Sequence, residues 1–175
     1  ATAISTTVAA LVLVGVAAPA DARVRRDPCL TGTWKLGPAK SLALLRELAN
    51  VPGFTVTQGT ITLTFGGGEM KYGSTLFILS GTTGDTTFSA EASFLTEAPY
   101  RTRNGKIRTG PGTYEINYGT MTATIGVQTH TVPGPPGRTE PTGAGSTPYT
   151  CNRTTLHYAV PTATGGRTDA VFRRA

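Results

Sequence analysis

The chain has 175 residues, a formal net charge of +6 and only 15% charged residues. That length carries one domain with a proper core but not comfortably two, and the sparse charge leaves threonine, which recurs throughout, to supply much of the polar surface. With 22 glycines and 12 prolines beside a residue that suits strands and disfavours helices, the composition points to many short strands joined by tight turns.

Residues 8 to 19 read VAALVLVGVAAP and precede Ala20-Asp21-Ala22. An apolar run of this length, followed by small residues at the first and third of those positions, has the form of a secretory signal over 1–22 that is cleaved after Ala22. It is too short to span a bilayer; the bland alternative is a buried N-terminal helix. No initiator Met or basic region precedes it, so the sequence is expected to begin inside a longer precursor. The mature protein would be a single domain over 23–175, secreted and extracellular.

Cys29-Leu-Thr-Gly-Thr-Trp-Lys-Leu36 places the only tryptophan, Trp34, five residues after one of two cysteines. Lys40 to Asn50 then sets Leu42, Leu45 and Leu48 at helical spacing, with Leu44 widening the stripe. A short helix over 39–49 fits, opened by Pro38 and closed by Asn50 before Val51-Pro52-Gly53. Its leucines read as core packing, the other reading being a lid over a pocket.

Strands follow. Ile61, Leu63 and Phe65 alternate with threonines, Gly66 to Gly68 turns the chain, and Glu69 to Tyr72 resumes the alternation. Leu76 to Leu79 is apolar on both faces, and Phe88, Ala90, Ala92 and Phe94 share a face of the next strand. In Arg101-Thr-Arg-Asn-Gly-Lys-Ile-Arg108 the Asn-Gly pair is a strong hairpin signal. Tyr114, Ile116 and Tyr118 hold even positions, whereas Met121, Ala123, Ile125 and Val127 hold odd ones; a phase change at Gly119 is what a bulge produces. The segment 132–148, with five prolines, is expected to be a long surface loop, because proline removes ladder donors. Thr150 to Val160 reads as a last strand, and the tail beyond it carries no clear pattern.

Export makes Cys29 and Cys151 more readily a bridge than two free thiols, and a loop of that length contributes about 4–5 kcal/mol in the chain-entropy model. With no CxxC or HxxH nearby, a metal site is not expected. If the antiparallel meander closes into a barrel, its first strand meets one of its last, the disulfide pins that seam, and Trp34 plugs one end. A β-sandwich could use the same bridge.

Gly32-Thr33-Trp34 resembles the G-x-W motif of lipocalins and the wider calycin barrels. The order CLTGTWKL, short helix, GTITLTF and late YTC is similar to lipocalin-like secreted bacterial proteins of unknown function. The resemblance implies an all-β fold closing into a lipocalin-like barrel, with Trp34 packed at its base. The arginine that stacks on this tryptophan in the family has no clear equivalent, Arg153 being nearest by position. The internal helix also departs from the usual order.

For chemistry, His130 and His157 are the only histidines, with no nucleophile or metalloprotease motif around them, and Glu91 and Glu115 fall on polar strand faces. Asn152-Arg-Thr154 fits the glycosylation triplet. No catalytic residue and no cofactor is expected. The leading function is non-catalytic binding of a small apolar ligand in a cavity. Trp34, Phe65, Tyr72, Phe88, Ala90, Phe94, Tyr114 and Tyr118 would line it, with Gly73, Ala92 and Ala123 leaving volume. The competing reading is a solid core in which large and small residues alternate. The runner-up is a surface module: Arg101, Arg103, Lys106 and Arg108 share one face of the hairpin, opposite Thr102 and Ile107, and could meet an anionic polymer or head group. Nucleic acid is disfavoured because no aromatic side chains interleave them, and an enzyme ranks third. Oligomeric state is not legible.

Overall fold

The computed structural model describes residues 26–49, 53–161 and 166–175. The signal segment expected over 1–22 and the helix stop at Asn50 to Pro52 lie outside the described residues. The described chain forms β1 (Gly32–Leu36), α1 (Pro38–Ala49), β2 (Phe54–Gly59), β3 (Thr62–Gly66), β4 (Glu69–Thr83) and β5 (Thr86–Arg103). It continues through β6 (Lys106–Thr109), β7 (Gly112–Ile125), β8 (Gln128–Pro133), β9 (Arg138–Thr142), β10 (Gly145–Cys151), β11 (Thr155–Pro161) and β12 (Arg167–Arg174). The helix is too short to cross a membrane.

Eight of these strands, β1, β3, β4, β5, β6, β10, β11 and β12, each pair antiparallel with the next, and β12 returns to β1. The result is a closed eight-stranded meander. Its hairpins follow from turn chemistry: Gly67-Gly68 and Asn104-Gly105 are two-residue connections with φ positive at both positions, at 58° and 94° and at 51° and 67°. That is the backbone whose twist matches the flanking strands. Alternation then directs Trp34, Leu63, Phe65, Ile107, Leu156, Tyr158, Val160, Ala170 and Phe172 inward, where all are buried.

The other four strands form a sheet extension beyond the ring. β2 pairs the outer half of β4, β7 pairs the first part of β5, and β8 and β9 both lie along β7. Two steps on β5, Ala90 to Ala92, face three on β7, Met121 to Tyr118, so the bulge expected from the phase change at Gly119 is present. The outer face of this extension carries two cross-strand rows of hydroxyls, Thr55–Ser80–Ser89–Thr122–Thr131 and Thr82–Thr87–Thr124–Thr129. Threonine thus makes a sheet face polar without charge, as the composition required.

Helix α1 lies against β2. Its buried face is Ser41, Leu44 and Leu45, with half-buried Leu42 packed against the core, while Leu48 is 37% exposed. The leucine stripe is therefore turned by about one position: Ser41, Leu44 and Leu45 share a face by their three- and four-residue spacing, and Leu48 runs past the surface that they cover.

The segment 132–148 is not the loop its prolines suggested, for β8 runs to Pro133 and β9 and most of β10 fall within it. Pro141 sits in β9, which pairs with β7 alone, and an edge strand tolerates a missing donor. Pro148 is the last residue of β10 paired with β6, and Tyr149 the first paired with β11. The donor is lost where the strand changes partners.

Candidate functional site

The seam of the barrel is built as the two cysteines implied. Cys29 and Cys151, 122 residues apart in sequence, form a disulfide with Cα atoms 6.3 Å apart. Trp34 is completely buried, and its indole N–H donates to the Leu30 carbonyl at 2.8 Å. The arginine over its ring is Arg174, whose guanidinium carbon lies 4.4 Å from the ring centroid. The same guanidinium donates to the carbonyls of Cys29, Thr31 and Arg153 at 2.8, 2.8 and 2.9 Å. Arg153, nearest in the sequence reading, contributes only a backbone acceptor.

The eight residues expected around one cavity occupy three different places. Trp34 and Phe65 sit in the sealed centre of the ring, where Phe65 meets Tyr100 edge to face at 5.0 Å. Tyr72, Ala90 and Phe94 are buried where the ring joins the extension. Phe88, Tyr114 and Tyr118 are half-buried on the inner face of the extension, with Phe54, Ile116 and Met121. The eight do not share one wall: the Phe65 and Tyr100 rings pack edge to face beside Trp34 in the core, apart from the half-buried residues of the extension. Gly73 lines a groove of about 470 Å³ with Thr62, Thr64 and Asn117 rather than the barrel interior, and a Cβ there would overlap the Phe94 carbonyl oxygen. Its glycine serves close strand approach.

What joins the last two groups is a chain of rings. Phe94 touches Tyr72 at 5.6 Å, Phe77 at 6.3 Å and Tyr114 at 6.2 Å, centroid to centroid. At its inner end the Tyr72 hydroxyl is buried with no hydrogen-bond partner among the described residues, the residue being 8% exposed. Burial, then the neighbouring Tyr158 and Glu47, raise the Tyr72 pKa well above the ordinary phenol range, so it stays protonated. By contrast Tyr149, beside the seam, donates to Asp27 at 2.8 Å. Burial first and that bond second push its pKa up to about 12.

The basic hairpin forms as the Asn-Gly signal required. Arg101 faces Arg108, and Arg103 faces Lys106. Ile107 points inward and is buried, while all four cations are exposed. Among the described residues the ion pairs are Lys71–Glu97 and Arg138–Glu140, and neither takes a hairpin cation. Beside the turn, Arg26, Asp27, Arg103, Asn104 and Tyr149 line a groove of about 380 Å³.

His130 and His157 are exposed strand residues on β8 and β11, and Glu115 accepts from the Asn117 amide at 2.7 Å. Among the described residues no three His, Cys, Asp or Glu side chains gather as a metal site would need. No family model matches the chain, and neither a curated protein nor a solved structure does.

Proposed function

We propose that this is an exported, non-catalytic binding protein of lipocalin-like type that holds a small, mainly apolar ligand on the aromatic inner face of its extension. The observation that carries the reading is the Tyr72 hydroxyl, buried and without a partner among the described residues, at the end of the ring chain through Phe94 to Tyr114. An unpaired buried hydroxyl costs about 1–3 kcal/mol, and a ligand with one polar group on an apolar body removes that cost. Half-buried Phe88, Tyr114 and Tyr118 supply an apolar floor, with Ala90 and Ala92 keeping it low. Export is supported by the signal-like segment at 8–19 and by the disulfide.

The test is displacement of the neutral dye N-phenylnaphthylamine, followed by fluorescence, with dodecanol and dodecane as competitors. The dye is expected to bind saturably and without salt dependence. Tyr72→Phe is expected to weaken dodecanol by roughly five- to tenfold, the worth of one hydrogen bond, and to leave dodecane unchanged. Absence of saturable dye binding, or equal weakening of both competitors, rejects the reading.

A further inference from the structure

The hairpin is built against local preference. Like charges directly opposite each other on one sheet face are destabilising, yet Arg101 faces Arg108 and Arg103 faces Lys106, all four exposed and outside the ion pairs of the described residues. Nothing in the packing requires these charges, since Ile107 alone anchors β6 inward and is buried. Neighbours along the two strands lie about 7 Å apart and neighbours across them about 5 Å, so the four cations form a strip two strands wide. On one flank β10 presents Ser146 and Pro148, which are uncharged. At the turn Arg103 also borders the groove that holds Arg26, whose lining includes Thr102 from the hairpin's other face. The acid in that groove, Asp27, already accepts from the Tyr149 hydroxyl and the Cys29 N–H.

We infer that this strip and groove form a docking surface for a linear polyanion, a site separate from the aromatic floor. Charge complementarity names the partner's sign, and the shape names its form. A strip this narrow that borders a groove fits one polymer strand. A bilayer would call for apolar side chains beside the cations, but exposed Ile125 and Val127 are at the opposite end of β5, next to Thr86.

Binding of fluorescently labelled long-chain polyphosphate to the full chain, followed by anisotropy over a salt series, tests this. Affinity is expected to fall linearly with the logarithm of salt, with a slope of about 3 for four released counterions, as for a single-stranded polyelectrolyte. Two variants remove equal charge. R101S/R108S takes one cation pair from the strip, and K35S/R173S takes the facing pair Lys35 and Arg173, which lies four strand steps round the eight-strand ring. The first is expected to weaken binding at least fivefold and to lower the slope by about 1.4. The second is expected to leave affinity within twofold. Both variants should also melt at a higher temperature in low salt, because each removes a facing repulsion, which separates lost binding from lost folding. Equal weakening by both variants would mean bulk charge rather than a site and would overturn the inference. So would salt-independent binding, or binding to phosphatidylglycerol vesicles without binding to polyphosphate.

Discussion

Arg174 crosses the seam of the barrel at its sealed end, its planar fork capping Trp34 while three N–H groups reach carbonyls of the segments before β1 and before β11. Those carbonyls belong to chain otherwise held by turns and by the Cys29–Cys151 bridge, so one side chain helps order both approaches to the seam. Replacing Arg174 by Ala is expected to cost about 2 kcal/mol, the sum of a cation–π contact and net bonds to partly solvated acceptors, measured by urea denaturation. Arg174→Lys should recover less than half, since an ammonium cannot span three carbonyls in one plane. Trp34 was legible in the sequence because GTW opens an alternating strand. Arg174 was not, because its meaning comes only from the pairing of Trp34 with the last strand, a contact 140 residues apart that no local pattern encodes.

The elements were legible in proportion to their alternation. The strands around Ile61 to Phe65 and Phe88 to Phe94, the hairpin at Asn104-Gly105 and the bulge after Tyr118 all follow from local periodicity and turn residues. The reading of 132–148 failed, and that of α1 held for Leu42, Leu44 and Leu45 but not Leu48, for one reason: both weighed composition without partners. Of the five prolines of 132–148, Pro135 and Pro136 lie between β8 and β9, Pro133 ends β8, Pro141 sits on an edge strand and Pro148 at a change of partner, where a donor is not missed. The face of α1 is set by Ser41, which a leucine count ignores. Its hydroxyl donates to the Leu36 carbonyl and accepts from the Ile61 N–H, both at 3.2 Å, tying the helix to the end of β1 and the start of β3. Ser41→Ala leaves a buried N–H without its acceptor, and a loss of about 2 kcal/mol is expected. Hydrogen exchange at Ile61 should rise with it, which distinguishes a lost bond from general loosening. For the candidate site, alternation gave the inward face of each strand but not which residues share a wall, since that depends on how β2, β7, β8 and β9 extend the sheet beyond the ring.

At the scale of the whole molecule, closure of β12 on β1 brings distant parts of the chain together, and the Cys29–Cys151 bridge removes the freedom of a 122-residue loop from the unfolded chain. The double variant Cys29→Ser, Cys151→Ser is expected to lose about 3–5 kcal/mol of stability. It should keep the buried emission of Trp34, since the β12–β1 ladder and the Arg174 contacts do not depend on sulfur. Red-shifted emission in the folded double variant would show instead that the bridge is what shuts the end of the barrel.

The ring closes without β7, β8 or β9, and the residues that flank this insertion, Thr109 and Gly145, face each other across a single ladder. The whole excursion therefore leaves and rejoins the barrel at one doorway. A turn of a few residues suffices to bridge it, so whatever hangs there can be lengthened, exchanged or removed over evolutionary time without reopening the wall. The barrel is a socket, and the Tyr114 and Tyr118 side of the floor is a fitting it carries, while Phe88, Ala90 and Ala92 stay on β5 of the ring.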